Sequence, residues 1–380
     1  MHLQMPNQYP PPPLHDLINN LSLDLTYLSL PPSTPSDYYG DFPSTPSTSY
    51  LRLFESHLSL TFKASDCVFM PSGVLAQSII VMAKCQDSNS TFLCHKSSHL
   101  LLHEKASYSH LLKKKPIVID TSSPLTYSTV LSSLNSSPSI KLLILEHPHR
   151  ELGGTLTSFS DLLKIQSLCK ERDVWFHIDG ARIWEASGAE NGEYTLRDLK
   201  GVCDSMYVSF YKGLGGITGA ALLGGEEVCE EARVWLRRFG GNLYTLSPYV
   251  VSCWAGFKRN VEDADFTFVD KANKMKSVHA ALKADQEVSE VLQFRTETVE
   301  ICFCHGIING TREKCEEAER KVFEKTGVHV FSRLRGEWEG GRKMYFEWNM
   351  GNVNGRIGDE VYLENWQLFA REMKALKEKK

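Results

Sequence analysis

The sequence predicts an α/β protein with a mainly parallel sheet covered by helices on both faces, followed by a smaller α/β carboxy-terminal domain. Short apolar runs of strand length, such as residues 174–178 and 206–210, end in polar or glycine residues. Segments with apolar residues at helical spacing separate these runs, as in folds where helices cross between parallel strands. With 380 residues, 42% of them hydrophobic, the chain is long enough for two domains with a sizeable core.

Composition excludes several classes of function. The formal net charge is −4, and no long basic stripe carries interleaved aromatic residues, so a nucleic-acid partner is not expected. No stretch approaches the roughly 20 apolar residues of a membrane span, and prolines stand where a signal peptide would be apolar. The ten cysteines show no CxxC pair and suggest reduced, buried thiols without a metal site. We expect a cytoplasmic protein that does not bind membranes.

The amino-terminal 48 residues are rich in Pro, Ser, Thr and Tyr and include four consecutive prolines at 10–13. This composition predicts an extended, largely irregular arm. We expect a large domain over residues 49–245 and a linking helix with a small α/β domain over residues 246–380. In the small domain, strands are expected at 292–304, 328–331 and 343–348, and helices at 313–325 and 359–377.

A strand, a turn and a helix follow one another within residues 67–85, which read CVFMPSGVLAQSIIVMAKC. Ser72 and Gly73 precede the helix, so the backbone amides of Gly73 and Val74 would lack partners inside it. Together with the positive end of the helix, such amides favour a phosphate. Any helix can begin in this way, so the motif alone is a weak signal.

Further buried strands are expected at FLCH (92–95), KPIVID (115–120) and KLLILE (141–146). The first leads into a segment with three histidines, His95, His99 and His103, at helical spacing. The last ends in a polar cluster that contains His149, where strand-end catalytic residues belong in open α/β sheets. Each histidine has a structural reading as well, either in packing or in a solvated loop.

Asp179 and Lys212 carry the strongest chemical signal. Each closes an apolar run and is followed by glycine, so each should lie where a buried strand ends. The 32 residues between them allow one crossover helix, which would bring both side chains to one edge of the sheet. A lysine that can hold an aldehyde as a Schiff base, beside an acid that keeps a pyridine nitrogen protonated, is what a pyridoxal phosphate enzyme needs.

The motifs HIDGARIWEA (177–186) and SFYKGLGGITGA (209–220) resemble the aspartate and lysine motifs of the threonine aldolase and β-eliminating lyase family. The resemblance covers about residues 50 to 255. It implies an aminotransferase-like protein of fold type I, pyridoxal 5'-phosphate as cofactor, a small amino-acid substrate and assembly into a homodimer or homotetramer.

The resemblance also implies roles for particular residues. His99 matches the histidine that stacks on the pyridine ring, and His149 matches a histidine proposed to accept the proton of the substrate hydroxyl. The turn at Ser72, Gly73 and Val74 has the form of the phosphate-binding turn. Arg182 lies three residues beyond Asp179, where its planar guanidinium could pair with a substrate carboxylate.

For the second arginine that binds the carboxylate in this family, the nearest residue on a late strand is Arg342. The expected function is cleavage of a β-hydroxy-α-amino acid to glycine and an aldehyde. Elimination of a β-substituent from a cysteine- or serine-like amino acid is the alternative. A non-catalytic scaffold is a third possibility.

Overall fold

The computed structural model describes residues 13–40, 48–189, 194–338 and 342–378. Its helices are α1 (Leu14–Leu28), α2 (Tyr50–Phe62), α3 (Gly73–Lys84), α4 (His99–Leu102), α5 (Ser107–His110), α6 (Tyr127–Ser136), α7 (Phe159–Glu171), α8 (Ile183–Ala186), α9 (Leu196–Gly201), α10 (Glu226–Arg238), α11 (Ser247–Phe257), α12 (Phe268–Ala284), α13 (Gln286–Ser289), α14 (Arg312–Thr326) and α15 (Asp359–Glu378). Its strands are β1 (Asp66–Met70), β2 (Thr91–His95), β3 (Pro116–Ile119), β4 (Ile140–Glu146), β5 (Trp175–Gly180), β6 (Ser205–Ser209), β7 (Ala220–Gly224), β8 (Leu292–Phe294), β9 (Phe303–Asn309), β10 (Gly336–Trp338) and β11 (Lys343–Asn349).

Within the described residues the first sheet has seven strands in the order β1-β7-β6-β5-β4-β2-β3. The strands from β6 to β3 are parallel, whereas β7 runs antiparallel to both β6 and β1. Helices α3 and α10 pack in the core on one face, and α2, α7 and α11 contribute to the core on the other. The predicted α/β fold with helices on both faces is confirmed. Parallel strands place their carboxyl ends at one edge of the sheet, which is where the polar side chains of this chain gather.

The second sheet is smaller and antiparallel, with the order β10-β11-β9-β8. The prediction of one continuous strand over residues 292–304 is wrong, because β8 and β9 are separate strands. Residue Leu292 pairs with Ile308, so the chain has to reverse direction between β8 and β9. Residues 328–331 form no strand element either, whereas the helices expected at 313–325 and 359–377 correspond to α14 and α15.

The amino-terminal arm is not irregular throughout, because residues 14–28 form α1. This helix packs against α11. Asp24 pairs with Arg259 at 2.6 Å, and the Tyr27 hydroxyl donates to Asp263 at 2.6 Å. This helix was not predicted, because only a few of its residues face inward at helical spacing and proline-rich sequence lies on both sides of it. The prolines at 10–12 lie outside the described residues.

Asp37 fixes the segment that follows α1 to the beginning of α11. Its buried carboxylate accepts hydrogen bonds from the backbone amides of Leu246 and Ser247, both at 2.8 Å, and from the hydroxyls of Thr245 and Ser247. The side chain of Leu246, at the cap position of this helix, makes no capping hydrogen bond, and Thr245 accepts only from the Ser247 amide, at 3.2 Å. An anion at a helix amino terminus satisfies free amides and opposes the helix dipole, so Asp37 acts as the missing cap.

The cysteines are buried and free at all ten positions, as predicted. Cys302 and Cys304 belong to the core rather than to a metal site, and the described residues contain no cluster of metal-ligating side chains. No helix in the described part of the chain is long and apolar enough to cross a membrane.

Candidate active site

Two buried carboxylates lie side by side where β4 and β5 end. Glu146 and Asp179 are register partners in neighbouring parallel strands, and the amide of His147 donates to the Asp179 carbonyl at 2.9 Å. Burial, followed by the nearby charge of Glu146, raises the pKa of Asp179 to about 6. Burial also raises the pKa of Glu146. The edge of the sheet therefore holds two carboxyl groups whose negative charge the protein does not fully offset with positive charges or hydrogen bonds.

Lys212 lies in the loop between β6 and β7, where the sequence placed it. Its amine is partly accessible from a cavity but is otherwise surrounded by protein. This desolvation, together with the positive charge of Arg182, lowers the pKa of Lys212 to about 8, against the opposing effects of Asp179 and Glu146. A lysine with a lowered pKa is a better nucleophile at neutral pH, because more of its amine is unprotonated.

His99 is held in place from two sides. Its backbone amide donates to the Glu146 carboxylate at 3.1 Å, and its Nδ1 lies 3.1 Å from the Glu104 carboxylate. Burial acts to lower the pKa of His99, but the hydrogen bond to Glu104 and the charge of Asp179 raise it overall. The other oxygen of Glu146 accepts from the amide of Arg150 at 3.0 Å. Glu146 thus links the end of β4 to both sides of the site.

The turn before α3 has the expected form. Ser72 caps the helix by accepting from the amide of Leu75 at 3.3 Å, which leaves the amides of Gly73 and Val74 without intrahelical acceptors. A Cβ atom on Gly73 would lie 1.9 Å from the hydroxyl oxygen of Tyr207, so only glycine fits there. Nearby, the buried hydroxyl of Ser209 makes no hydrogen bond within the described chain. An anion bound at this turn could satisfy these donors.

His149 is almost fully buried and belongs to a small histidine cluster. Its Nε2 lies 3.0 Å from the Ser97 hydroxyl, which lies 2.9 Å from His95 Nδ1. Burial lowers the pKa of His149 and of His95 to about 4 each, so both rings are neutral at neutral pH. The helical spacing expected for His95, His99 and His103 is not present, because His95 ends β2 and only His99 begins a short helix.

Arg182 is buried beside Lys212. Its Nη1 donates to Glu185 at 3.1 Å and to Asn349 at 3.2 Å, and its guanidinium lies 4.5 Å from the centre of the Phe303 ring. Arg182 and Lys212 line one cavity of about 220 Å³ between the two sheets. The partners Glu185, Asn349 and Phe303 were not identified from the sequence. Only Glu185, one helical turn after Arg182, could have been found from spacing.

Arg342 does not reach this cavity. It is exposed and precedes β11, whose other end carries Asn349 beside Arg182. Seven residues of extended strand separate the two, a distance of about 23 Å. The arrangement within this chain gives no support to the expectation that Arg342 binds the substrate carboxylate, and that expectation stays a prediction. It followed from closeness to β11 in sequence, without knowledge of which end of the strand faces the cavity.

Comparisons with known proteins agree with this arrangement. The chain superimposes on a protein from Listeria monocytogenes assigned as an L-allo-threonine aldolase, with a TM-score of 0.81 and 25% identity, covering 98% of this chain and 95% of that one. The fold and the strand-end lysine and aspartate define a fold type I protein, the class to which many pyridoxal phosphate enzymes belong.

Within that class, residues 39–298 match the model of the beta-eliminating lyase family, and the chain belongs to this family. It is 31% identical over 214 residues to the aldolase vrtJ of Penicillium aethiopicum, a match that spans 53% of this chain and 52% of the relative. It is 27% identical over 213 residues to the low specificity L-threonine aldolase of Escherichia coli K12, spanning 54% and 60%. The matched part is thus about half to three-fifths of these relatives' length.

Proposed function

We propose that this chain is a pyridoxal phosphate-dependent aldehyde-lyase that cleaves a β-hydroxy-α-amino acid, threonine-like in form, to glycine and an aldehyde. The observation that carries the proposal is the meeting of Asp179, Lys212 and the Gly73 turn at one edge of the first sheet. Family membership and the names of the aldolase relatives support it.

The residues at this edge fit the cofactor. The Gly73 and Val74 amides, with the Ser72 and Ser209 hydroxyls beside them, offer donors for a phosphate, and Tyr207 fills the space that any side chain at position 73 would need. When bound, pyridoxal phosphate supplies an aldehyde for an amine and a ring that withdraws electrons. Lys212 would hold the aldehyde, and Asp179 would stabilise the protonated ring nitrogen. The ring of His99 would lie against the cofactor.

The same residues suggest how the substrate is handled. Arg182 would bind the substrate carboxylate, since its guanidinium is fixed by Glu185 and Asn349 next to Lys212. His149 would accept the hydroxyl proton as a neutral imidazole, directly or through Ser97, its hydrogen-bond partner.

One observation favours β-elimination as the second candidate. A pKa of about 8 suits Lys212 to remove a proton from the α-carbon, whereas His149, with a pKa of about 4, is a weak base in the cofactor-free chain. Elimination needs the α-proton to be removed, but aldol cleavage needs only the hydroxyl proton.

Product analysis separates the two reactions. The holoenzyme would be incubated with β-hydroxy amino acids, serine and cysteine, and glycine, aldehyde, pyruvate and ammonia would be assayed. We expect glycine and aldehyde, with His149→Phe slowing cleavage about 100-fold or more and the more exposed His103→Phe having a smaller effect. Pyruvate and ammonia without glycine would establish elimination instead. A chain that binds the cofactor but converts nothing would favour the scaffold.

We also propose the domain division at residue 245, a homodimer or homotetramer, and a cytoplasmic location. The first sheet ends before α11 and the second begins after it. Exposed apolar side chains, among them Val74, Tyr211 and Tyr244, lie near the cofactor edge and would suit a subunit interface. Ten free cysteines suit a reducing compartment. Light scattering coupled to size-exclusion chromatography measures the oligomeric state directly.

A further inference from the structure

Lys271, one turn into α12, is a buried residue that lines the cavity beside Lys212. The residue is 2% exposed, and no hydrogen bond or ion pair joins its amine to any part of the chain that the structure describes. The amine lies 4.3 Å from the centre of the Phe268 ring. An isolated buried charge is costly, so buried lysines normally have a countercharge or an acceptor.

Two other buried lysines show the normal arrangement. The Lys200 amine donates to the carbonyls of Cys203 and Asp204, at 3.0 and 3.3 Å. The Lys114 amine donates to the Asp87 carbonyl at 2.6 Å. In both cases the protein itself supplies the acceptors. Lys271 differs from them because its amine donates no hydrogen bond to a carbonyl or carboxylate of the described chain, although it lines a cavity with Glu185 and Asn349.

The missing acceptor belongs in the cavity beside Lys212. Lys271 lines this cavity together with Arg182, Lys212 and a single acid, Glu185. Glu185 accepts from Arg182 through Oε1, whereas its Oε2 is buried without a hydrogen-bond partner in the described chain. The charge of Glu185 acts to raise the pKa of the Lys271 amine, but no hydrogen bond joins the two side chains. Among the described residues that line the cavity, three basic side chains therefore face one acidic side chain.

Arg182 has an unused donor as well. Its Nη1 is bonded to Glu185 and Asn349, but its buried Nε has no hydrogen-bond partner in the described chain. Two basic side chains of one cavity thus have donors without acceptors. A carboxylate offers acceptors only, which is the complementary pattern. The cavity of about 220 Å³ has the volume of about seven waters, enough for a small amino acid.

We propose that Lys271 and Arg182 together form the pocket for the carboxylate of the amino acid whose amine reaches Lys212. The inference rests on the proposed function, and it assigns to α12 a substrate-binding residue. It also predicts a preference for free amino acids over amines that lack the carboxylate. Burial lowers the pKa of the Lys271 amine in the cofactor-free chain, and a bound carboxylate would stabilise its protonated form.

Calorimetric titration of the holoenzyme with glycine and with methylamine tests the proposal, because methylamine has the amine but lacks the carboxylate. We expect Lys271→Met to raise the Kd for glycine about tenfold or more, as the loss of one charge-assisted hydrogen bond implies. Its Kd for methylamine should not change. Lys271→Arg should retain most of the glycine affinity, and Lys276→Met, on the same helix but away from the cavity, should resemble the wild type.

Thermal unfolding separates binding from a structural role. A buried lysine that serves only to bind a ligand destabilises the ligand-free protein. Lys271→Met should therefore unfold at the same Tm as the wild type or at a higher one. A lower Tm with equal weakening of both ligands, or an unchanged Kd for glycine, would overturn the proposal. If threonine is still cleaved in that case, the aldolase function stands without it. If Lys271→Met weakens the binding of glycine but not of methylamine, and the wild type does not cleave threonine, the aldolase function is refuted and the carboxylate pocket stands.

Discussion

The strand-end edge of the first sheet and the core beneath the second sheet are built in opposite ways. Around Trp366 the buried side chains are aromatic and fill each other's space, with ring centres 5.7 Å from Phe346 and 5.2 Å from Phe369. At the other edge the buried side chains are charged, and Asp179 and Lys212 have pKa values shifted toward their neutral forms. The first region stabilises the fold. The second region lowers stability, because its buried charged groups lack countercharges and hydrogen-bond partners that a bound ligand can supply.

The largest effect is expected in the aromatic core. Trp366→Ala should lower the free energy of unfolding by about 3–5 kcal/mol, because it leaves a cavity that rigid neighbours cannot fill. Urea denaturation measures this loss. Trp366→Phe should lose much less, since it keeps most of the volume and removes a buried indole N–H that has no partner in the described chain. A loss below about 1 kcal/mol for the alanine variant would contradict the assignment of this region as the stabilising core.

Lys212→Met should change the free energy of unfolding in the opposite direction. Removing a desolvated amine should raise the free energy of unfolding of the cofactor-free protein by up to about 3 kcal/mol, because the pKa is lowered from 10.5 to about 8. Cofactor binding should be lost. The matched control is Lys200→Met, which removes two hydrogen bonds to carbonyls and should destabilise the protein. If both variants shift stability in the same direction, the contrast between the two regions fails.

Gly73→Ala tests the tight packing of the phosphate turn. The new methyl group would collide with Tyr207, and we expect a loss of about 1–3 kcal/mol together with weaker cofactor binding in spectral titrations. Gly201→Ala is the control, since a Cβ there meets nothing within 4 Å at the end of α9. It should stabilise the protein by about 0.5 kcal/mol. Normal cofactor affinity in Gly73→Ala would place the phosphate elsewhere.

The last prediction concerns the dependence of stability on pH. The folded-state pKa of Asp179 is raised from 3.8 to about 6, so its contribution to stability is present below pH 4 and is lost as the pH rises through 6. Asp179→Asn should flatten the decline of the unfolding free energy over this window by up to about 3 kcal/mol, the amount that corresponds to the shift from 3.8 to about 6. Identical pH profiles for variant and wild type would show that Asp179 is not desolvated.

The strands of the first sheet and the strand-end positions of Asp179 and Lys212 could be predicted, because apolar runs that end in glycine are local signals. The turn at Ser72 and Gly73 could also be predicted, because it directly follows a short apolar run. The pairing of Glu146 with Asp179 could not be predicted, since it depends on strand register. Lys271 resembles any helix-surface lysine in the sequence, and only the packing of α12 shows that it is buried. The distance of Arg342 from the cavity could not be predicted, because strand direction is a property of the fold.

The bond between Asp37 and α11 has a consequence for the order in which the protein folds. Asp37 is separated from Leu246 by 209 positions along the chain. At a synthesis rate of about 5–20 residues per second, the segment around Asp37 leaves the ribosome about 10–40 s before its partner exists. During that time its carboxylate has no helix to cap, and α1 has no α11 to pack against. This early segment therefore reaches its native contacts only after every strand of the first sheet has been synthesised, because β7 ends at Gly224 and α11 begins at Ser247.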